Sequence, residues 1–544
     1  MVSFWSARRL SIVLTTIAVA LWSCSLTQAK LNIGFYGLIH SFPVTFLLAL
    51  ALLTIASAIL WVSRENHGKL LCLQLCFLIT ALWLGPILLG SNPVFASIGY
   101  RDYPLADYII RHGYINTALA LFLYWPGNWV MQAALTEITG REVLGIITTI
   151  GPFLMQFLIL LPLYLLLKNA ISNANYRWAA AWIFYLANWT GQIYVGAQGI
   201  GLFLLLTLLA LLTKPGLREK AAEIGDRLAA LLVIAGIVVI HLLTSLAAFA
   251  SVALLWITGP RRATAKTLIL IAAVFIAAWT VYVAAIRPEW SHQLIQSVLE
   301  RAFRLDLIFQ VHFIEHAGAS PSHAAVDWVR VSFSALFTLT AITGVIMSLK
   351  FKDKADRAIL ALTAVPIIVL LSGLYGWELL MRAYLFALVP IGYFSVKLLN
   401  HKASAVILCL LLLTAIPLNI IAHYGNAAID YIPRGEVAYW HFVKDNISGG
   451  YLTGGPDDFM GFDGCTNVDF NQLHWEDDML VGEALKSDEP HYVNIGKYDQ
   501  SMYEFLYNDS QFIPETQTRL ESSAHYNLIY VNPGLSSYMK ETNS

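Results

Sequence analysis

The stretch Ser91–Gly140 contains the segment Gly99-Tyr-Arg-Asp-Tyr-Pro-Leu-Ala-Asp107, which interrupts a chain made mostly of long apolar runs. The segment carries two carboxylates, Asp102 and Asp107, and the stretch continues to an aromatic turn, Tyr124-Trp-Pro-Gly127. A polar, acidic and aromatic insert of this length between membrane-length runs needs an explanation. We therefore interpret this insert as the mouth of an active site at the outer membrane surface.

The composition places the chain among membrane proteins. Of its 544 residues, 58% are hydrophobic and only 13% are charged. A soluble domain cannot bury that much apolar surface, so the composition predicts an α-helical polytopic membrane protein.

The charge of the chain reverses near its last quarter. Residues 1–424 carry 28 Lys+Arg against 16 Asp+Glu, whereas residues 425–544 carry 6 against 19. This reversal predicts two domains in different solvents, a multi-span domain at 1–423 and a soluble acidic domain at 424–544. The acidic domain argues against nucleic acid as a partner.

The acidic domain has the patterns of a small α/β unit. Helical spacing extends over residues 435–446, and short β-rich pieces lie at 451–453, 491–495 and 526–531. Gly, Pro and Asp residues separate these pieces, as is usual for short strands joined by turns.

The apolar runs predict about 11–13 transmembrane helices. The runs begin near Leu10, Pro43, Leu70, Ile146, Arg177, Ile200, Leu228, Leu242, Thr267, Val331, Ile359, Leu379 and Ser404. The first run is interpreted as a retained span and not as a cleaved signal. Two long polar connections, 91–145 and 287–330, separate groups of runs.

The distribution of basic residues predicts the orientation of the chain in the membrane. Lys and Arg cluster in alternate connections, for example at Arg64/Lys69 and Lys214/Arg218, which places those connections and the N-terminus in the cytoplasm. The connections 91–145 and 287–330 and the C-terminal domain then lie outside. The sequence thus predicts a multi-pass plasma-membrane protein with an extracytoplasmic C-terminal domain.

Asp102 and Asp107 are the first candidates for catalysis. Pro104 is expected to open a helix, so that Asp102 precedes that helix and Asp107 lies within it. A carboxylate at such a place can hold a divalent metal or accept a proton from an incoming hydroxyl. The structural alternative is that Asp102 is the N-cap of a helix over 105–111.

A second constellation is His312-Phe-Ile-Glu315-His316, which matches the H-x-x-E-H pattern of zinc metallopeptidases. On a helix, His312 and His316 would share a face and could bind a metal, with Glu315 polarising a water. Three interpretations stay open: a peptidase site, metal ligands on the loop opposite Asp102, or ordinary loop residues.

Two further ionisable residues lie at predicted membrane faces. His241 is expected at the outer end of a short span, where it is either functional or hydrogen-bonded to a neighbouring helix. Arg382 either pairs with Glu378, four residues earlier, or binds a lipid phosphate, since a guanidinium matches phosphate oxygens.

Parts of the insert also resemble a known family. The segments concerned are Asp102-Tyr-Pro-Leu-Ala-Asp-Tyr-Ile-Ile-Arg-His-Gly113 and Tyr124-Trp-Pro-Gly127 through Leu135-Thr-Glu-Ile-Thr-Gly140. With the many spans and the soluble C-terminal domain, the chain resembles the GT-C superfamily of polytopic membrane glycosyltransferases. It is most similar to an archaeal and bacterial branch related to protein mannosyltransferases and oligosaccharyltransferases. It lacks the Trp-Trp-Asp-Tyr-Gly signature of the latter and an Asp-Glu pair in the early loop.

The resemblance implies an enzyme that moves a sugar from a polyprenyl-phosphate carrier to an extracytoplasmic acceptor, which is a glycan, a lipid or a protein. It implies that Asp102 is the base or a metal ligand and that Asp107 supports Asp102. The divalent metal considered is Mg²⁺ or Mn²⁺. The expected partners are the lipid-linked sugar donor and membrane lipids.

The same resemblance suggests substrate-binding roles. Arg382 would hold the carrier phosphate, Tyr124 and Trp125 would give the sugar or lipid a stacking surface, and His241 joins this substrate-binding group. The alternatives from other classes are a non-enzymatic membrane scaffold, a transporter and the metallopeptidase. A transporter would favour ionisable residues in the middle of the membrane, whereas here the acids lie in the outer loops.

Overall fold

The computed structural model describes most of the chain. The described residues are 6–89, 97–117, 119, 121–141, 143–145, 147, 150–214, 220–304, 306, 319–348, 354–373, 379–447, 450–454, 465–467, 473–476, 479–482 and 490–541. His312, Glu315, His316 and Glu378 lie outside these residues, and the predictions made for them stay predictions.

Helices dominate the first 430 residues. They are α1 (Ala7–Gln28), α2 (Val44–Trp61), α3 (Gly68–Ile79), α4 (Gly85–Leu89), α5 (Ser97–His112), α6 (Gly127–Thr139), α7 (Val143–Gly145), α8 (Gly151–Ala170), α9 (Ala174–Ala187), α10 (Ala197–Thr213), α11 (Lys220–Ile240), α12 (Leu242–Thr258), α13 (Arg262–Ile286), α14 (Pro288–Arg301), α15 (Pro321–Met347), α16 (Lys354–Leu362), α17 (Ala364–Leu371), α18 (Leu379–Ser395), α19 (Lys402–Tyr424) and α20 (Ala427–Asp430). A π-helical turn at Thr80–Leu84 joins α3 to α4.

A helix lies at or within a few residues of each of the predicted apolar runs. Among the described residues, eight helices are long and apolar enough to cross a membrane. These are Ala7–Gln28, Val44–Trp61, Gly68–Leu88, Gly151–Ala170, Arg262–Ile286, Pro321–Met347, Leu379–Asn400 and Lys402–Tyr424. The remaining runs form helices that are shorter, such as α10 and α12, or that carry charges in their first turns, such as α11. The prediction of a polytopic helical membrane protein is confirmed.

Glycines permit the closest helix crossings in the bundle. A Cβ atom on Gly344 of α15 would lie 1.9 Å from the carbonyl oxygen of Phe394 in α18. One on Gly392 of α18 would lie 2.6 Å from the carbonyl oxygen of Ala180 in α9. Only a residue without a side chain fits at such crossings, and they let α18 pack deep among its neighbours.

The course of α5 corrects one expectation. Pro104 lies inside this helix and does not open it, because α5 begins earlier, at Ser97. Pro104 removes one intrahelical hydrogen bond, but Tyr100 and Tyr103 are buried and hold the preceding turn against the protein. Asp102 is therefore an interior helical residue, and its interpretation as an N-cap is wrong.

The last 115 or so residues form a mixed α/β unit, as the sequence predicts. Its helices are α21 (Arg434–Asn446), α22 (Lys497–Tyr507) and α23 (Phe512–Ser522). Its strands are β1 (Gly450–Thr453), β2 (Cys465–Asn467), β3 (Leu473–Glu476), β4 (Met479–Gly482), β5 (Tyr492–Gly496), β6 (Tyr526–Asn532) and β7 (Leu535–Lys540). Five strands form one sheet in the order β2-β1-β5-β7-β6, with β1 parallel to both its neighbours and β7 antiparallel to both of its own. β3 and β4 form a separate antiparallel pair.

The α/β unit packs on the insert through a shared hydrophobic cluster. Tyr100 and Tyr103 of α5 belong to the same buried cluster as Tyr439 and Val443 of α21. The unit also contacts the start of α15, where the ring of His323 stacks on the Phe505 ring at 4.9 Å between centroids. The helix that carries Asp102 is thus fixed on one side by the α/β unit.

Candidate functional site

Asp102 lies on α5 in a buried position, with 2% of its surface exposed. Its helical neighbours Tyr100 and Tyr103 belong to the hydrophobic cluster that reaches the α/β unit. Tyr194, a half-buried residue before α10, packs against the same cluster. The cluster therefore connects the environment of Asp102 to the segment that precedes α10.

Asp107 lies on the same helix but on a different face. Five residues along a helix correspond to a rotation of about 140° between the two carboxylates. The Asp107 Oδ2 atom accepts a hydrogen bond of 2.8 Å from Nε of Arg111, one helical turn further on. This pair holds the Asp107 side chain along the surface of α5.

The Tyr124-Trp-Pro-Gly127 turn packs against the end of α11. A Cβ atom on Gly127 would lie 2.6 Å from the Ile240 side chain, so the turn approaches this helix closely. Trp279 of α13 donates a hydrogen bond of 3.1 Å from Nε1 to the carbonyl oxygen of Tyr124. The Tyr124 ring is buried, whereas Trp125 is half-buried and is the more accessible of the two predicted stacking residues.

The structure brings His241 and Arg382 together. Nη1 of Arg382 lies 3.3 Å from Nε2 of His241 and donates a 3.1 Å hydrogen bond to Oε1 of Gln198. On the other side of the ring, Nδ1 accepts a 3.3 Å hydrogen bond from the Thr244 amide and lies 2.8 Å from Oγ1 of Thr244, which fixes the imidazole at the start of α12.

Two helix starts meet Arg382 at this cluster. Gln198 is in the first turn of α10, and His241 is the N-cap of α12. Helix N-termini carry partial positive charge and unpaired N–H groups. The cluster formed by Gln198, His241 and Arg382 is therefore electropositive and suited to an anion.

A small pocket lies beside this cluster. Its lining comes from α8, the segment between α9 and α10, the start of α10, and α18. The polar lining residues are Gln156, Asn188, Thr190, Gln192, Tyr194 and Gln198. Gln198 lines the pocket and also accepts the hydrogen bond from Arg382.

The amides of this pocket were not predicted from the sequence. Gln156 lies within the apolar run of α8, and Asn188 follows the apolar run of α9. A signal was present, because polar side chains in membrane-length runs usually face the interior of the bundle. The sequence pattern does not show that residues from three separate helices converge on one cavity.

The described residues do not assemble a metal site. Within that part of the chain, no three His, Cys, Asp or Glu side chains come close enough to hold a metal ion. Asp102 alone does not fit a divalent ion, which needs several oxygen ligands. The predicted metal set of Asp102, His312, Glu315 and His316 remains a prediction, because its last three members lie outside the described residues.

Comparison with known proteins concerns the fold. No family model matches the sequence, and no curated protein matches it. The structure is similar to that of the archaeal oligosaccharyltransferase AglB from Archaeoglobus fulgidus in complex with an inhibitory peptide and a dolichol-phosphate. The TM-score is 0.51 and the sequence identity 13%, over 87% of this chain and 74% of that one. The chain has a GT-C-like fold.

Two further structures of the same archaeal enzyme align over similar lengths. The apo form aligns with a TM-score of 0.49 and 11% identity, over 88% of this chain and 75% of that one. The complex with Zn and sulfate aligns with a TM-score of 0.46 and 14% identity, over 86% and 73%. At 13% identity, the likeness to AglB establishes a GT-C-like membrane fold, and the chemistry of this chain must be argued from its own residues.

Proposed function

We propose that this protein is a membrane glycosyltransferase that takes a sugar from a polyprenyl-phosphate carrier and transfers it to an extracytoplasmic acceptor. The observation that carries the proposal is the cluster of Gln198, His241 and Arg382 at the starts of α10 and α12, next to a polar pocket. A phosphate inside a membrane-spanning bundle needs fixed positive charge and N–H donors, and this cluster offers both.

In this proposal Arg382 binds the carrier phosphate. The guanidinium is held at two points, by Oε1 of Gln198 and by Nε2 of His241, so it is oriented before the lipid arrives. A guanidinium presents five donors in a planar fork, a geometry that matches phosphate oxygens. His241 acts as a positioning residue for this group.

Asp102 is the proposed base. The acceptor's hydroxyl or amide attacks the anomeric carbon of the sugar, and the bond from that carbon to the phosphate oxygen breaks. Polyprenyl phosphate leaves with that oxygen and both bonding electrons, and the Asp102 carboxylate takes the acceptor's proton. A buried carboxylate on a helix fixed by two packing partners suits this role, because a general base must be positioned.

The orientation and the domain division belong to the same proposal. In this proposal the α/β unit at 424–544 and the insert, which share a buried cluster, lie on the extracytoplasmic side, opposite the basic connections. The enzyme would then act at the cell envelope on an acceptor outside the cytoplasm.

The test uses the full-length protein in lipid nanodiscs with polyprenyl-phosphate mannose, glucose or N-acetylglucosamine, each labelled in the sugar. We expect one of these donors to release polyprenyl phosphate, and Arg382→Gln to weaken its binding by roughly ten- to hundredfold. Binding of polyprenyl phosphate that Arg382→Gln leaves unchanged would contradict the proposed phosphate site.

A further inference from the structure

Helix α14 (Pro288–Arg301) follows the span α13 after a break of one residue. Arg287 has φ −137° and ψ 79°, and Pro288 occupies the first helical position, where a missing N–H breaks no helical hydrogen bond. The 14 residues of α14 extend about 21 Å, less than the roughly 30 Å of a hydrocarbon core. α14 is therefore a separate element and not the continuation of a span.

The described side chains of α14 separate into an apolar and a charged face. Ile295 is 58% exposed, and Leu299, one turn further on, is 74% exposed. Glu289 and Glu300 are also exposed, and they lie roughly 120–140° around the helix from Ile295. An exposed helix with one apolar and one charged face has the pattern of helices that lie in the interface of a membrane.

Phe303, two residues after α14, adds a third exposed apolar side chain. Its φ of 63° is in the left-handed region, which bulky residues rarely adopt. The Phe303 amide donates a hydrogen bond of 3.1 Å to the carbonyl oxygen of Leu371, at the end of α17. The ring itself is 76% exposed. A costly backbone conformation that leaves an aromatic ring uncovered indicates that the ring contacts something outside the chain.

The end of α14 is packed closely against the end of α17. A Cβ atom on Gly373 would lie 2.7 Å from the carbonyl carbon of Arg301 and 2.8 Å from the backbone nitrogen of Ala302. Gly373 also has a positive φ of 66°, which favours glycine. α14 is thus attached at its start to α13 and at its end to α17.

Both attachments are to helices with exposed apolar surfaces. Of the eight membrane-length helices among the described residues, α13 is the least buried, with only 11% of its most apolar 18 residues buried. Val281 and Tyr282, near its end, are 67% and 51% exposed, and Ile367 of α17 is 56% exposed. The apolar face of α14 therefore lies between two surfaces suited to lipid and is not an isolated patch.

We propose that α14 lies along the lipid interface on the side of the aromatic turn, with Ile295, Leu299 and Phe303 among the acyl chains of that leaflet. The side follows from Trp279, two turns before the end of α13, which donates a hydrogen bond to the carbonyl oxygen of Tyr124. This inference does not use the proposed function, because it concerns neither the sugar nor the carrier phosphate.

The lipid is recognised by its acyl chains and not by a charged head group. The exposed charges of α14 have both signs, since Glu289 and Glu300 are opposed by Arg301. Such a helix is held by the apolar area that it inserts, whereas attraction to anionic lipid needs a cluster of basic residues. A bilayer of phosphatidylcholine is therefore a sufficient probe.

The test measures the surroundings of spin labels on the two faces of α14, in the full-length protein in phosphatidylcholine nanodiscs. The labels are attached through Leu299→Cys and, as the matched control on the next residue, Glu300→Cys, after the five native cysteines are replaced by alanine. Oxygen concentrates in lipid and a nickel chelate stays in water. We expect oxygen to relax the label at 299 severalfold more strongly than the chelate does, and the reverse for the label at 300.

A second measurement uses the unmodified chain, so it does not depend on the cysteine replacements. Phosphatidylcholine with a photoreactive diazirine in its acyl chain is incorporated into the nanodiscs, and labelled peptides are identified by mass spectrometry. We expect adducts on the peptide that contains Leu299 and Phe303 and on α13. Helix α23 of the α/β unit is the control and should carry none.

Two results would overturn the inference. If the chelate relaxes both labels and α14 carries no lipid adducts, the helix lies in water. If neither reagent reaches the label at 299 and α14 carries no adducts, protein covers the apolar face, either a second copy of this chain or another partner. None of these measurements depends on sugar transfer, so a failure here is distinguishable from a failure of the proposed function.

Discussion

The guanidinium of Arg382 contacts the ring of His241 across 141 positions of sequence, with 3.3 Å between Nη1 and Nε2. One residue starts α12 and the other lies in the first described turn of α18, so the contact ties two separate helices of the bundle together. The ring is held in place by the Thr244 amide, which donates to its Nδ1, so it limits the orientations that the guanidinium can adopt. We propose that this contact aims Arg382.

His241→Asn is the variant that isolates this role. Asn caps helices well, so the start of α12 is retained, but its shorter side chain cannot reach Arg382 as Nε2 does. We expect His241→Asn to weaken polyprenyl-phosphate binding by severalfold, less than Arg382→Gln. The double variant should bind no more weakly than Arg382→Gln alone. Additive losses in isothermal titration would show that His241 acts independently of Arg382.

Gly127→Val tests the contact between the aromatic turn and α11. A valine side chain would overlap Ile240, so the turn must move away, at a cost of about 1–3 kcal/mol. We expect a lower unfolding temperature and reduced sugar transfer. The control is Gly225→Ala in α11, where a Cβ atom meets nothing within 4 Å. A Gly127→Val protein as stable as Gly225→Ala would contradict the close packing of the turn.

Glu436 predicts a pH dependence of stability. It is fully buried on α21, and Oε1 accepts a 2.8 Å hydrogen bond from the Tyr498 amide at the start of α22. Burial first, and then the nearby Asp499 carboxylate, raise the pKa of Glu436 to about 8, against the lowering effect of the Tyr498 and Lys497 amides and the Lys497 charge. The native α/β unit therefore favours the protonated acid.

A raised pKa in the folded state means that stability falls as pH rises. The contribution of Glu436 is fully present below its ordinary pKa of about 4.5 and is lost as pH rises to about 8. Thermal unfolding of the full chain at pH 5, 6.5 and 8 should show this decline, and Glu436→Gln should flatten it. Glu515→Gln, at an exposed acid of α23, is the control and should keep the wild-type slope. Parallel slopes for wild type and Glu436→Gln would contradict the prediction.

The orientation is tested by reporters fused after Ser544. We expect a reporter that is active only outside the cytoplasm to work at this position, because the basic connections fall on the opposite side of the membrane. A reporter active only in the cytoplasm would place Asp102 and the α/β unit on the wrong face. The same fusion after Asn400, at the end of the span Leu379–Asn400, serves as the opposite-side control.

Sequence patterns predicted the helices well, because lipid exposure imposes long apolar runs on every span. Even the helix 435–446 and the strands near 451, 491 and 526 appear where alternation and turn residues placed them. Pro104 led to the wrong helix start, because proline is common at helix starts and the burial of Tyr100 and Tyr103 does not follow from residue spacing.

The candidate site was predicted in part. Asp102, His241 and Arg382 were recognised because each is an ionisable group near an apolar run. Such a signal is visible from a single residue and its neighbours in the sequence. The contact of Arg382 with Gln198 and the cavity between Gln156 and Asn188 were not recognised. These are relations between distant segments, and they arise only when the helices pack.

The most direct test of the account compares wild type with Asp102→Asn in release of polyprenyl phosphate from the labelled donor that the wild type uses. Asn keeps the shape of the side chain, and the N-cap role is already ruled out by the start of α5 at Ser97. If Asp102 is the base, transfer should fall by roughly a hundredfold or more, while expression, membrane insertion and polyprenyl-phosphate binding stay unchanged. Near-normal release by Asp102→Asn would contradict the central claim and leave the glycosyltransferase assignment resting on the fold alone.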